Sequence, residues 1–236
     1  MCWSETATYS MAALGAAATF VTWRKGEPAG IWGTLGFFTA MEGLQAWGYG
    51  VIDQCGAPGN TTVTVLSYLH IVLQPIVVNL FCLTLVGPAV DARTRRWVLG
   101  LASLTSLTLL ARLIPAPWLG VCPPGVPLCG PEFCTISGNW HLGWTMPLNN
   151  FLSLSHWFGG IGQFPDYLLA CLLLPCLYGA WRFALLNGLV GPLLASGLTS
   201  NPNEMPAIWC LFSVMLVLIG ISPLIRSRVF PPATPA

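Results

Sequence analysis

Long apolar runs separated by short polar breaks dominate the chain. They occupy residues 6–23, 31–52, 63–86, 97–113, 163–180, 185–198 and 207–224. A helix needs about 20 mostly apolar residues to cross a bilayer, so each run is read as a membrane span. The pattern predicts an all-α, polytopic membrane helix bundle with seven transmembrane helices. Residues 115–150 break the pattern. They are rich in Pro, Gly, Cys and Trp, which argues against a regular span there. Residues 1–230 form one transmembrane domain on this reading, with 115–150 as a Cys/Pro-rich outer segment. The Pro-rich tail 231–236 is expected to be disordered.

Charge fixes the orientation. Only 7% of residues are charged, and eight of the nine Lys and Arg fall in four clusters at the ends of apolar runs. These are Arg24 and Lys25; Arg93, Arg95 and Arg96; Arg182; and Arg226 and Arg228. Basic residues collect on the cytoplasmic side of a bilayer. The N-terminus is therefore expected outside and the C-terminus in the cytoplasm, with Asp53, Glu132 and Glu204 facing out. The turn near Arg182 rests on that one charge. No basic stretch precedes the first run, so no cleavable signal is expected. The hydrophobic fraction of 55% and the mean hydropathy of +0.70 are too high for an ordinary soluble domain. A net charge of +1 gives no electrostatic case for nucleic acid. Expected partners are the lipid bilayer, a small-molecule or metal ligand, and further copies or subunits of a membrane complex.

Polar groups at membrane depth are costly and are site candidates for that reason. Glu42 and Gln45 share a face of the second span, and His70 and Gln74 share a face of the third. With Arg112, the one basic residue outside the four clusters, they are the ligand- or proton-binding candidates. The competing reading is an interhelical hydrogen-bond network that only holds the bundle. His141, His156 and Asp166 are expected on the outer side. With His70 and Cys2 they are candidate ligands for a transition-metal ion, although no His-x-x-x-His spacing is present.

Nine cysteines divide by topology. Cys2, Cys55, Cys122, Cys129 and Cys134 fall outside, where disulfides are the default. Cys82, Cys171, Cys176 and Cys210 fall within spans, where cysteine behaves as a small hydrophobe. Asn60-Thr61-Thr62 has the form of a glycosylation sequon. The only lysine is Lys25 at a span boundary, so a retinal Schiff base is excluded.

Two resemblances add to this. Ser67-Tyr68-Leu69-His70 is similar to the Ser-x-x-x-His of the alkaline ceramidase and adiponectin-receptor-type superfamily, one residue short and without a histidine on the last span. That resemblance is architectural and implies a metal-dependent lipid hydrolase. Met1-Cys2-Trp3-Ser4, Ala40–Gln45, Ser67–Ile71 with Gln74-Pro75, and Gly138–His141 resemble an uncharacterised bacterial multi-pass membrane protein family. It implies a bacterial inner-membrane location and groups Cys2, Glu42, His70 and His141. The function expected is an integral membrane protein with a polar intramembrane site open to the outer face, binding a small ligand or metal ion. Alternatives are the lipid hydrolase, a proton-coupled transporter using Glu42, and a structural subunit.

Overall fold

A computed structural model of the chain describes residues 5–211 and 214–230. Cys2, the Met1–Ser4 motif and the tail 231–236 lie outside the described residues. The fold is all-α overall apart from one short hairpin. Helices α1 (Glu5–Arg24), α2 (Ala29–Gly50), α3 (Pro58–Val86) and α4 (Ala92–Ala111) pack sequentially, each against the next. Small residues allow α1 and α2 to approach closely: a Cβ on Gly15 would collide with Thr39. Asp91 starts α4 by accepting hydrogen bonds from the backbone N–H of Arg93 and Thr94.

The outer segment folds on itself. Strands β1 (Cys134–Ser137) and β2 (Leu142–Thr145) pair antiparallel. The hairpin sits on the α2–α3 turn. Asn60 donates to Val51 O and Thr135 O and accepts from Thr135 N. Asp53 accepts from Ser137 N and Oγ. Two disulfides, Cys55–Cys134 and Cys122–Cys129, staple this region. They use four of the five cysteines expected outside. Asn60 is completely buried with its amide engaged. The folded chain therefore cannot present it as a glycan acceptor.

After the short helix α5 (Ser155–Phe158) come two rods carrying prolines. Helix α6 (Pro165–Leu177) widens to a π-helical turn at Leu169–Leu173. Helix α7 (residues 181–198) does the same at Leu189–Leu193. Pro175 and Pro192 cannot donate the i→i−4 hydrogen bond, and their rings crowd the preceding turn. Each π turn lies at or just before its proline, as expected if the helix relieves that crowding by widening. Between the rods the chain reverses through Gly179, whose φ of +98° suits a residue without Cβ. Residues 181–188 then pack back along 169–177, so the turn near Arg182 is present. Helices α8 (Met205–Leu211), α9 (Val214–Ile221) and α10 (Pro223–Val229) complete the chain.

The expected seven crossings are not carried by helix length and apolarity. Among the described residues, Pro58–Ala89 is the one helix long and apolar enough to cross a membrane by itself. The α8–α9 segment joins it only if taken with α10 as one span, bent by 105°. The physical reasons are local. Helix α1 is rich in weakly apolar Ala, Gly and Thr, α6 is short, and α7 is interrupted by Asn187, Gly188, Gly191 and Pro192.

The two ends of the molecule differ. At one end Arg226 pairs with Glu27 at 3.0 Å, and Arg182 donates to Arg228 O. Phe81, Phe183 and Phe230 form an aromatic core nearby. At the other end Trp144, Leu142, Met146 and Leu148 from the outer segment pack with Met41, Tyr68 and Leu109.

Candidate functional site

Between these two cores lies a layer of buried polar groups. Gln45 and Tyr49 stand one turn apart on α2, and both meet His141 from the turn between β1 and β2. The Tyr49 hydroxyl lies 2.5 Å from His141 Nδ1. His141 Nε2 lies 2.6 Å from Gln45 Oε1, and the Gln45 amide nitrogen donates onward to Ala207 O at the start of α8. A neutral imidazole with its proton on Nε2 satisfies every bond in this chain. Burial holds His141 below the usual 6.5, at about 4. The backbone around it is fixed by Glu204. That fully buried carboxylate accepts from the backbone N–H of Asn139, Trp140 and His141 and from Thr199 Oγ1.

A second network runs through α3. His70 Nε2 donates to Phe37 O at 2.8 Å, and its ring stacks on Phe37 with centroids 3.7 Å apart. Gln74, one turn on, has long contacts to His70 Nδ1 at 3.4 Å and Cys210 Sγ at 3.6 Å. Its Oε1 accepts from the Tyr167 hydroxyl of α6. Glu42 joins neither network. It is 1% exposed, and neither carboxyl oxygen has a partner. It faces a void of about 10 Å³ bordered by Met11, Gly15, Thr39 and Leu216. That space is marginal for one water molecule.

Arg112 is fully buried at the C-terminal end of α4. It donates to Asp166 Oδ1 at 2.9 Å and to Gln163 O, with its guanidinium 4.5 Å from the Phe164 ring centre. The other Asp166 oxygen accepts from Thr108. Asp166 is thus committed to a buried ion pair rather than held open for a metal. His156 is exposed and tilted against Trp157. His70, His141, His156 and Asp166 are not brought together. Among the described residues, no group of three or more His, Cys, Asp or Glu could hold a metal ion. Cys2 lies outside those residues.

One concavity was not anticipated from the sequence. It is a cavity of about 750 Å³ between α3, α6, α7, α8 and α9. Both π turns contribute to its walls through Cys171, Leu172, Val190 and Gly191. Its lining runs from Gly125, Pro127, Phe158 and Ser200 to Phe183. Polar lining groups include Gln74, Tyr167 and Asn187, and among the described residues no charged side chain lines it. Tyr49, Tyr167, Asn187, Glu204 and Trp209 are site residues that sequence reasoning passed over. The available signal was Pro175 and Pro192 inside apolar runs, which mark distorted helices.

Residues 6–230 match the model of a family of unknown function (DUF5765), and the chain belongs to that family. No curated protein matches the chain, and no solved structure does.

Proposed function

We propose that this chain, as a member of that family, is an integral membrane protein that binds a small, neutral, mostly apolar ligand in the 750 Å³ cavity. The cavity is the observation that carries the reading. Its volume falls in the range of small-molecule sites, about 300–1,000 Å³. Burying a charged ligand head against an uncharged lining would leave its desolvation cost uncompensated. On this reading the seven helical segments are spans, with the N-terminus outside and the C-terminus cytoplasmic. Two features support a lipid surround. Leu66, Leu73 and Leu80 leave one face of α3 exposed, and Leu104 and Leu107 do the same on α4. Large exposed apolar surface of this kind needs a cover. The Arg24, Arg182 and Arg226 clusters also gather at one end, through the Glu27–Arg226 and Arg182–Arg228 contacts.

Gly188→Leu tests the binding reading. Gly188 lines the cavity, and a Cβ there meets only Leu172 at 3.9 Å. The first carbon of a leucine side chain is therefore accommodated, the rest extends into the cavity, and leucine also favours the helix. Protein purified from membranes should carry a co-purifying neutral lipid, detected by mass spectrometry of extracts, and Gly188→Leu should carry at least tenfold less. Equal occupancy in the two proteins would overturn the reading. A second reading, a proton-coupled carrier, is favoured by the unpartnered Glu42 carboxyl. It requires Glu42→Gln to abolish ligand-driven proton uptake in proteoliposomes while leaving binding intact.

A further inference from the structure

The cavity has a chemically distinct wall, and its make-up narrows the ligand. Gln74, Tyr167, Trp209 and Asn187 form a continuous strip along it. Tyr167 donates to Gln74 and stands edge-on to Trp209, with ring centres 5.5 Å apart. Trp209 Nε1 donates to Asn187 Oδ1 at 3.3 Å. The Trp209 ring is also wedged against Gly191, where any Cβ would overlap the indole. Both ends of this aromatic wall are therefore fixed by neighbours.

Along this strip the side-chain donors open to a ligand are amide N–H groups; the hydroxyls of Ser196 and Ser200 line the cavity elsewhere. Asn187 is 6% exposed and spends its carbonyl oxygen on Trp209. Its NH2 group lines the cavity and has no partner among the described residues. At the other end of the strip, the Gln74 NH2 group has only its two long contacts to His70 and Cys210. Its oxygen is already taken by Tyr167. The strip thus offers amide N–H donors, and among the described residues the lining has no cation to pair with an anion and no carboxylate to pair with an amine. A buried donor without an acceptor is costly, so the occupant should supply one.

We infer that the ligand is a neutral lipid with a planar, carbonyl-bearing ring as its head, such as a quinone. One carbonyl oxygen accepts from Asn187 Nδ2 and a second from Gln74 Nε2. The ring lies against Tyr167 and Trp209. The aliphatic tail runs along Leu168, Leu172, Val190 and Leu216. This rests on the cavity being a ligand site, and it adds the chemistry of the head group.

The test compares two probes of equal tail length, decylubiquinone and decylbenzene, bound to the full chain in detergent and counted by native mass spectrometry. Wild type should bind one decylubiquinone at least tenfold more tightly than decylbenzene. Asn187→Leu should lose that preference while still binding decylbenzene. Gln74→Met reads the second contact and serves should Asn187→Leu fail to fold. It should weaken decylubiquinone binding several-fold and leave decylbenzene unchanged. Equal affinity of wild type for the two probes, or an unchanged preference in the variants, would overturn the inference and leave the cavity reading standing. Failure of wild type to bind either probe, or undiminished binding of both by Gly188→Leu, would overturn both.

Discussion

Glu204 is the residue whose removal should be most informative about how His141 is seated. Its carboxylate is fully buried and accepts from neutral donors. Asn139 is exposed, so water can replace Glu204 at its N–H. The N–H groups of Trp140, part-buried, and His141, buried, would lose their carboxylate acceptor. Each such loss costs about 1–3 kcal/mol. Glu204→Ala should therefore destabilise the 138–141 turn by about 4 kcal/mol. Glu204→Gln keeps a carbonyl oxygen for Trp140 and His141 but weakens both bonds by removing the charge, and should cost about 1–2 kcal/mol.

Hydrogen exchange followed by mass spectrometry reads this locally. In the rapid-reclosing regime, 4 kcal/mol corresponds to about a thousandfold faster exchange of the Trp140 and His141 amides. Glu204→Gln should give about a tenfold effect. Gly138→Ala attacks the same clamp from the other side, because its Cβ would collide with His141 O and the Glu204 carboxyl. It should reproduce the alanine phenotype. Exchange in Glu204→Ala within threefold of wild type would refute the reasoning, since the carboxylate would then not be holding the turn.

Three further outcomes are expected. The unfolded chain protonates His141 near 6.5 and the folded chain only near 4, so stability should be level above pH 6.5 and fall as pH drops towards 4, by up to about 3 kcal/mol. The groups facing the imidazole are Tyr49 and Gln45, with Glu204 on its backbone N–H; thermal unfolding at pH 7.5 and 4.5 should show a weaker dependence in His141→Gln, and an equal slope in that variant would refute the assignment. The Cys55–Cys134 bridge spans 79 positions and Cys122–Cys129 spans 7, so loop-closure entropy makes Cys55→Ser about 2 kcal/mol more damaging than Cys122→Ser, and denaturation midpoints in the reverse order would contradict this. Glu42→Leu should raise stability by about 1–3 kcal/mol, because it removes a buried group with no partner; a loss of stability would show that the carboxyl is satisfied in solution.

What the sequence revealed, and what it hid, follows from the range of each interaction. The His70–Gln74 pair and the Glu42–Gln45 face depend only on helical spacing, so they could be read directly. The same rule gave no means of knowing that Gln45 turns to His141 while Glu42 turns to the α1 side. His141 and His156 each stand next to a tryptophan, and nothing local separates them. The first is buried because Gln45, Tyr49 and Glu204 converge on it from distant segments, and the second has no such partners. Disulfide candidates were visible as a set, but their pairing depends on the hairpin docking over the α2–α3 turn. Asn60 makes the same point in reverse: it stands in a local motif with the form of a glycosylation sequon, and contacts with Val51 and Thr135 bury it.

The cavity lies between these extremes. Pro175 and Pro192 were legible as helix distortions, but a distortion alone does not make a site. It becomes one because Gly179 folds α7 back against α6, bringing both widened turns to the same wall, and because Gly191 leaves room there for Trp209. A chain that only needed to fill a bilayer would gain nothing from two such defects placed together. Their convergence on a strip that carries the unspent Asn187 amide donor is the strongest structural reason to look for the ligand there.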